Sequence, residues 1–242
     1  MFENKIVLIT GASRGLGRQM AIDFINEGAY VILNYNQSYD EAVSLKNKYD
    51  NIDIFKANIS DETEVKKMLD YIINKYSKID ILINNAAISK DSLIDDKNKE
   101  TFMKILGVNL IGTFLVTKYA SKHMKNDSCI INISSTDAID TNYIYGMEYD
   151  ASKAGVISIS SNFAKALSPV RVNTICPGWI NTDMNKNMDK KFKENEESKI
   201  LLKRFANPEE ISNVVLFLAS DKASYINNSI IRVDGGRMWF YV

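Results

Sequence analysis

The stretch Thr10-Gly11-Ala12-Ser13-Arg14-Gly15-Leu16-Gly17 directly follows a short apolar run, Ile6–Ile9, and opens an amphipathic helical pattern. Gly11 permits a tight turn, Gly15 allows the backbone to approach a phosphate, and Gly17 allows the helix to pack close to the strand. A helix that begins here directs free N–H groups at the turn, and such a helix N-terminus binds pyrophosphate. Three glycines alone would also suit an ordinary turn, but the strand–loop–helix context favours a dinucleotide-binding fold.

The rest of the chain alternates short apolar runs with longer helical patterns. Nearly continuous apolarity is typical of strands that are covered on both faces. The predicted strands are Ile6–Ile9, Tyr30–Leu33, Ile52–Lys56, Ile79–Ile83, Cys129–Ile133, Arg171–Cys176 and Ile230–Val233. Strands separated by helices imply right-handed crossovers. The sequence therefore predicts one α/β domain over residues 1–242, a Rossmann-type, doubly wound parallel sheet of about seven strands with helices on both faces.

The start of the last helix shows a specific capping signal. Asn207 is a favourable N-cap, Pro208 suits the first helical position, and Glu210 stands three residues after the cap. This is the spacing of a capping box, so a helix is predicted to begin at Pro208.

Composition argues against several classes of protein. The 242 residues carry 30 Lys and Arg against 30 Asp and Glu, and no basic block indicates a nucleic-acid partner. Cys129 and Cys176 lie in apolar runs and are expected to be buried free thiols. With the single His123 they cannot complete a usual zinc site, so no metal is expected. The N-terminus lacks the basic region of a signal peptide, and no apolar run approaches the ~20 residues of a membrane span. We therefore expect a cytoplasmic protein without membrane contact.

The G-x-x-x-G-x-G spacing of the glycine loop resembles that of the short-chain dehydrogenase/reductase family, and further motifs of that family follow in order. Tyr149-Asp150-Ala151-Ser152-Lys153 matches its Y-x-x-x-K motif. On a helix, Tyr149 and Lys153 lie on one face, so the phenol and the ammonium group can reach the same point. The resemblance implies that Tyr149 exchanges a proton with the substrate while a hydride moves to or from the nicotinamide. A free tyrosine has a pKa of ~10, and we expect the Lys153 cation to lower it.

Two further catalytic residues follow from the same resemblance. The pair Ser134-Ser135 ends a predicted strand, and the second serine of such a pair hydrogen-bonds the substrate carbonyl in the family, which indicates Ser135. The interval from Ser135 to Tyr149 is one residue longer than the usual family spacing, so Ser134 remains an alternative. Asn109, in the sequence G-V-N-L, resembles the family's helix asparagine, which holds a water between the lysine and a proton relay.

The resemblance also implies the residues that hold a dinucleotide. Asn84-Asn85-Ala86-Ala87 resembles the family's N-N-A-G, and Asn58-Ile59 resembles the position that contacts adenine. The stretch 177–182 matches P-G-x-x-x-T, whose backbone contacts the nicotinamide carboxamide. The predicted cofactor-binding residues are Gly11, Ser13, Arg14, Gly15, Leu16, Gly17, Asn36, Asn58, Ile59, Asn85, Ala86, Tyr149, Lys153, Pro177, Gly178, Ile180 and Thr182.

The expected cofactor is NADP(H) in preference to NAD(H). Members that are specific for NAD carry an acidic residue at the end of the second strand, where it binds the ribose 2′-OH and repels a 2′-phosphate. Here Leu33-Asn34-Tyr35-Asn36 contains no acid. Arg14, inside the glycine loop, is placed to pair with that phosphate.

The most similar group within the family is that of the 3-oxoacyl-acyl-carrier-protein reductases, which residues 84–93 and 109–117 resemble. This resemblance implies an NADPH-dependent reductase of a 3-oxoacyl thioester, with acyl carrier protein as a candidate partner, in a homotetramer or homodimer. A reductase or dehydrogenase of another small carbonyl or alcohol, such as a sugar, polyol or steroid, is the alternative. A non-catalytic dinucleotide sensor is a further alternative, although the complete catalytic set argues against it.

One segment fits neither a strand nor a helix pattern, and the C-terminus is unusually aromatic. Residues 181–203 are rich in Lys, Glu and Asn and are predicted to form a lid over the substrate, with a solvated connection as the alternative. The aromatic C-terminus, residues 237–242, is either core filling or part of a subunit interface.

Overall fold

A computed structural model of the chain describes residues 1–141, 143–182, 185 and 188–237. The aromatic residues 238–242 and parts of the predicted lid, including Met184, lie outside this range. The strands are β1 (Ile6–Ile9), β2 (Tyr30–Tyr35), β3 (Ile52–Lys56), β4 (Ile81–Asn84), β5 (Cys129–Ile133), β6 (Arg171–Pro177) and β7 (Ile230–Val233). The helices are α1 (Gly15–Asn26), α2 (Tyr39–Lys46), α3 (Glu62–Tyr76), α4 (Lys99–Leu106), α5 (Thr113–Ala120), α6 (Met147–Ala166), α7 (Lys190–Ser198) and α8 (Pro208–Ala219).

The strands of the described ranges form one parallel sheet in the order β3-β2-β1-β4-β5-β6-β7. The chain runs outward from β1 to β3 and then returns to place β4 on the other side of β1. The order therefore reverses between β1 and β4, and their carboxyl ends open a crevice there, where ligands of such sheets bind. The predicted doubly wound fold is confirmed, and every predicted strand is present, with ends that differ by at most two residues.

Two apolar cores cover the two faces of the sheet. Successive side chains of a strand point to opposite faces. Val7 and Ile9 of β1 therefore pack in one core with α1, α2 and α8, whereas Ile6 and Leu8 pack in the other with α3, α5 and α6. Both faces are buried, which explains why the strands read as continuous apolar runs.

The capping signal of α8 is confirmed. Asn207 and Glu210 form a capping box, and the Glu210 carboxylate accepts the Asn207 N–H at 2.8 Å. The helix packs against α1 beside the glycine loop. The N-terminal end of α8 therefore also borders the crevice.

One helical run in the described part of the chain passes the length and hydropathy test for a membrane span. Lys99–His123 contains α4 and α5, and an 18-residue window within it has a mean hydropathy of 1.2, which the sequence analysis did not expect. This is weak evidence for a span, because core helices of soluble proteins pass the same test. Leu115, Val116 and Ala120 of α5 are buried in the core that includes α3.

The cysteines and the histidine lie where the sequence places them. Cys129 and Cys176 are buried and free, and His123 is exposed. Among the described residues, no group of three or more His, Cys, Asp or Glu side chains could hold a metal ion.

Candidate active site

The glycine loop lies at the reversal of strand order, against the loop that follows β4. Gly11 and Gly15 have positive φ angles of 63° and 55°, which favour glycine. A Cβ on Gly11 would approach Ala86 Cα to 2.7 Å, and a Cβ on Gly17 would approach Asn85 Nδ2 to 2.5 Å. Neither position has room for a side chain, so two of the predicted glycine roles have a steric basis.

Thr10 and Asn85 join these two loops. Thr10 Oγ1 accepts the N–H groups of Asn85 and Ala86 at 3.0 and 3.1 Å. Asn85 Nδ2 in turn donates to the carbonyls of Thr10 and Gly11 at 3.0 and 3.1 Å. Because the Asn85 amide group is used in this way, it shapes the crevice by holding the glycine loop in place.

Asn34 is a supporting residue whose role the sequence analysis missed. It is buried at the end of β2, and its Oδ1 accepts the Gly11 N–H at 3.3 Å. Its Nδ2 donates to the carbonyl of Ala57 at 3.0 Å. Asn34 thus ties the glycine loop to the end of β3, a contact between distant parts of the chain that no local motif announces.

The start of α1 is suited to an anion. The helix begins at Gly15 with no side-chain cap and no acidic residue in its first turn. Ser13 and Leu16 are buried, and the Leu16 side chain packs in the core. Arg14 is exposed, and its guanidinium group forms no hydrogen bond or ion pair with the described residues. Free N–H groups, the helix dipole and an available guanidinium group together favour a phosphate.

A cavity of about 370 Å³ extends from this helix start. It brings the glycine loop together with the stretch after β6 and with the segment predicted to be a lid. Its lining residues are Gly15, Asn181, Thr182, Asn185, Met188, Lys193, Phe205 and Pro208. Lys193 of α7 adds a cation that the sequence analysis missed, because the helix carrying it lacks an apolar periodicity.

The P-G-x-x-x-T stretch leaves the sheet at the end of β6. Gly178 donates its N–H to the Val233 carbonyl at 3.1 Å, and a Cβ on Gly178 would approach Asp234 Cβ to 2.9 Å. Ile180 then pairs with Ala206 in an isolated bridge. The stretch therefore leads from the end of β6 to Thr182, which lines the cavity. That Pro177, Gly178, Ile180 and Thr182 bind the nicotinamide side of a cofactor stays a prediction.

The residues predicted for the adenine side lie at the ends of β2 and β3. Asn36 is exposed immediately after β2, and Ile59 is buried. Asn58 is half-buried, and its Oδ1 accepts the backbone N–H and the hydroxyl of Ser60 at 3.1 and 2.8 Å. The local turn thus holds Asn58 in place near the open end of the sheet.

Ser135, Tyr149 and Lys153 converge where β5 ends and α6 begins. Ser135 follows β5, and its hydroxyl lies beside the Tyr149 phenol. Lys153 Nζ lies 5.5 Å from the centre of the Tyr149 ring and donates to the Ile133 carbonyl at 2.7 Å. The predicted i,i+4 arrangement on one helix face is therefore present.

Ser134 faces away from this cluster. It is 2% exposed, and its Oγ donates to the backbone carbonyl of Lys153 at 2.8 Å. Adjacent residues of an extended chain point to opposite sides, so only one serine of the pair can face Tyr149. The geometry therefore favours Ser135 over Ser134 as the donor to a substrate carbonyl.

Asn109 is fully buried in a π-helical turn, Gly107–Gly112, between α4 and α5. Its Nδ2 donates to the Ile88 carbonyl and to Ser152 Oγ at 2.9 and 3.0 Å, and its Oδ1 accepts the Ile88 N–H at 2.8 Å. Asn109 thus connects the loop after β4 to α6, between Tyr149 and Lys153. Such π-helical turns are frequent at functional sites.

The electrostatics of the cluster correct one expectation. Burial raises the pKa of Tyr149, and the carboxylates of Asp137 and Asp150 raise it further. Burial also lowers the pKa of Lys153 to about 8. The expected lowering of the Tyr149 pKa by Lys153 is wrong for the protein alone, because burial dominates and the ammonium group points to the Ile133 carbonyl. A phenol that keeps its proton at neutral pH is suited to donate it.

The predicted lid contains a helix that the sequence did not indicate. Glu196 of α7 is 4% exposed, and its carboxylate accepts from Arg237 at 2.8 Å, from Trp179 Nε1 at 3.0 Å and from Lys199 at 2.5 Å. The Trp179 ring also stacks on Phe205. These contacts attach α7 to the stretch after β6 and to the residues that follow β7.

The fold and this cluster define a class of protein. A family model described as "Enoyl-(Acyl carrier protein) reductase" matches residues 11–237. The chain belongs to the short-chain dehydrogenase/reductase family. Its members are NAD(P)-dependent oxidoreductases that act on CH–OH or C=O groups, and this protein is one of these enzymes.

Related proteins and solved structures show which members of the family this chain resembles. The 3-oxoacyl-[acyl-carrier-protein] reductase FabG of Thermotoga maritima is 38% identical over 248 residues, covering 97% of this chain and 98% of that protein. The FabG of Aquifex aeolicus is 37% identical and covers 97% of each chain. A Brucella melitensis short-chain dehydrogenase described as a glucose/ribitol dehydrogenase has a TM-score of 0.93 at 28% identity, covering 99% of this chain and 98% of that one. A Burkholderia cenocepacia short-chain dehydrogenase in complex with NADP has a TM-score of 0.93 at 26% identity and covers 98% of each chain.

Proposed function

We propose that this protein is an NADPH-dependent reductase of 3-oxoacyl thioesters carried by acyl carrier protein. The observation that carries the proposal is the convergence of Ser135, Tyr149 and Lys153 at the end of β5, beside the glycine loop. The near-full-length similarity to two proteins named 3-oxoacyl-[acyl-carrier-protein] reductase supports the choice of substrate.

The crevice fits a dinucleotide. Side chains at Gly11 and Gly17 would collide with the loop after β4, and the uncapped start of α1 faces the cavity. The nicotinamide supplies the hydride when the cofactor is bound. Thr182 and the backbone at Gly178 would hold its carboxamide end, and Lys153 would hold its ribose.

The protein's own groups would polarise and protonate the carbonyl. The Ser135 hydroxyl donates to the substrate oxygen, and the Tyr149 phenol gives that oxygen its proton as the carbonyl carbon is reduced. Because burial raises the Tyr149 pKa, the phenol holds its proton at neutral pH. A donor that is already in hydrogen-bonding range avoids proton transfer from bulk solvent. Asn109 would hold α6 in place and support the return of a proton to Tyr149.

The preference for NADP(H) over NAD(H) rests on two features of the β2 end and the glycine loop. The exposed Arg14 guanidinium group has no partner among the described residues, and no acidic residue ends β2 to repel a 2′-phosphate. Asn36 stands at the same end of the sheet as a neutral hydrogen-bonding side chain. The NADP complex of a related structure supports this choice.

We also propose a cytoplasmic homotetramer or homodimer. Met103, Ile111, Phe114 and Met147 are large apolar residues exposed on α4, the following π-helical turn, α5 and the start of α6. Exposed apolar side chains of this kind are typical of subunit contacts. Light scattering coupled to gel filtration tests the assembly, and a monomer at micromolar concentration would contradict it.

Activity measurements on a panel of substrates test the function. The purified enzyme should oxidise NADPH with a 3-oxoacyl thioester faster than with sugars, polyols or steroid ketones. Tyr149→Phe keeps the ring volume but removes the proton, so kcat should fall by about 100-fold or more with little change in NADPH affinity. Near-normal turnover by this variant would refute the mechanism, whereas faster turnover of a sugar or polyol would refute the substrate class.

A further inference from the structure

Asp137 lies directly beside the serine of the candidate site. It is the second residue after Ser135, in the short 3₁₀ turn Thr136–Ala138. Its backbone N–H donates to Ser135 Oγ at 3.2 Å, and its carboxylate Oδ2 lies 3.3 Å from the same Oγ. The hydroxyl has only one proton. An ionised Asp137 would therefore attract the proton that Ser135 needs for a substrate carbonyl.

Arg237 and Glu196 are charged groups that face Asp137 from other parts of the fold. Arg237 approaches Asp137 Oδ1 only to 3.5 Å, whereas it lies 2.8 Å from the carboxylate of Glu196 on α7. Burial raises the pKa of Asp137, Glu196 raises it further, and Arg237 and Ser135 lower it. The Tyr149 phenol and the Asp150 carboxylate face the same region and interact with Asp137. On balance the pKa of Asp137 is raised, so its neutral form persists to higher pH than in an ordinary aspartate.

We propose that Asp137 is a positioning residue for Ser135 and acts as a neutral carboxylic acid. Its O–H donates to Ser135 Oγ, which also accepts the Asp137 backbone N–H. Both acceptor sites of the hydroxyl are then filled, and its single proton points to the substrate oxygen. Ionisation of Asp137 reverses this hydrogen bond and withdraws the proton from the substrate. The inference rests on the proposed carbonyl reduction, but it does not depend on which ketone is reduced.

The pH dependence of kcat in three variants tests this assignment. The wild-type kcat for reduction should decline as Asp137 loses its proton. Asp137→Asn should lack that decline, because an amide donates at every pH. Asp137→Ala has no side-chain donor, so its kcat should be about fivefold to tenfold lower than that of Asp137→Asn, as expected for one lost hydrogen bond. Asp140→Asn is the matched control on the same loop, since Asp140 pairs with Arg232 and makes no contact with Ser135 in the described residues. It should keep the wild-type profile.

Only the difference between these profiles is assigned to Asp137. Lys153 and Asp150, with pKa values of about 8 and about 7, also titrate and are present in every variant. Circular dichroism and NADPH binding show whether each variant is folded. An unchanged alkaline decline in Asp137→Asn, or equal kcat values for the Asn and Ala variants, would overturn the inference.

A second measurement needs no turnover. The carbon-13 carboxyl resonance of Asp137, assigned by its absence in Asp137→Asn, should titrate well above the ~3.9 of an ordinary aspartate. Titration at or below that value would overturn the inference. A wild-type protein that reduces no carbonyl would instead refute the proposed function, so the two failures are distinguishable.

Discussion

Replacing Ser134 and Ser135 one at a time by alanine should separate stability from catalysis. Ser134 Oγ is buried and donates to the backbone carbonyl of Lys153 at 2.8 Å. Ser134→Ala removes this bond, but the carbonyl keeps its hydrogen bond within α6, so the loss costs about 0.5–1.5 kcal/mol of unfolding free energy. For a chain of this length, each kcal/mol lowers the melting temperature by about 2–4 °C. The kcat should stay close to that of the wild type, because the Ser134 hydroxyl faces the helix backbone.

Ser135→Ala should have the opposite effect. Within the protein, its hydroxyl caps a single short turn by accepting the Asp137 N–H at 3.2 Å, so its loss costs about 0.5–1 kcal/mol of stability. The variant also removes the proposed donor to the substrate oxygen. Loss of one such donor lowers kcat by about 10²–10³-fold.

Thermal unfolding and NADPH oxidation, measured on the same preparations, compare the two variants. The expected pattern is a lower melting temperature for Ser134→Ala and a lower kcat for Ser135→Ala. A Ser134→Ala variant that loses as much kcat as Ser135→Ala while remaining folded would refute the assignment. The doubt raised by the longer interval to Tyr149 would then be resolved in favour of Ser134.

Three further predictions concern the cofactor, the lid and the opposite end of the sheet. Arg14→Ala should lower kcat/KM for NADPH by about tenfold or more and leave kcat/KM for NADH nearly unchanged, since one charge-assisted contact is worth about 1.5–3 kcal/mol. Equal use of both cofactors by the wild type would contradict this. Without ligand, the described part of residues 181–203 should exchange amide hydrogens faster than β1. Glu196→Gln should accelerate exchange in α7, because it removes the charge that holds this helix. Exchange as slow as in β1 would argue against a lid. Burial raises the pKa of Asp53, but hydrogen bonds from Lys46, Lys75 and two tyrosines lower it on balance. Asp53 therefore stabilises the fold fully above about pH 4, and this contribution is lost as the pH falls. In urea titrations, the unfolding free energy of the wild type should fall more steeply with acid than that of Asp53→Asn. Parallel falls in the two proteins would contradict the argument.

The sequence by itself determined where the strands lie along the chain and where α1, α6 and α8 lie. The apolar runs of β1 to β7 are continuous because both faces of each strand lie against helices, and burial of this kind leaves a direct mark on composition. The start of α8 was equally readable, because a capping box is made by neighbouring residues. The glycine loop and the Tyr149–Lys153 pair could be placed for the same reason. In both motifs the spacing of the residues follows from the local backbone geometry, a turn in the glycine loop and a helix in the Tyr149–Lys153 pair.

Tertiary structure decided what depends on residues that are distant in sequence. No apolar pattern announces α7, which is held by the contacts of Glu196 with Arg237 and Trp179. Ser134 and Ser135 are identical in type, and only the position of α6 shows which of them faces Tyr149. The Tyr149 pKa also depends on the tertiary structure, although the Tyr149–Lys153 spacing in the sequence had predicted a lowered value. Burial removes water from the phenol and favours its neutral form, and burial is a property of the packed molecule that a local motif does not encode.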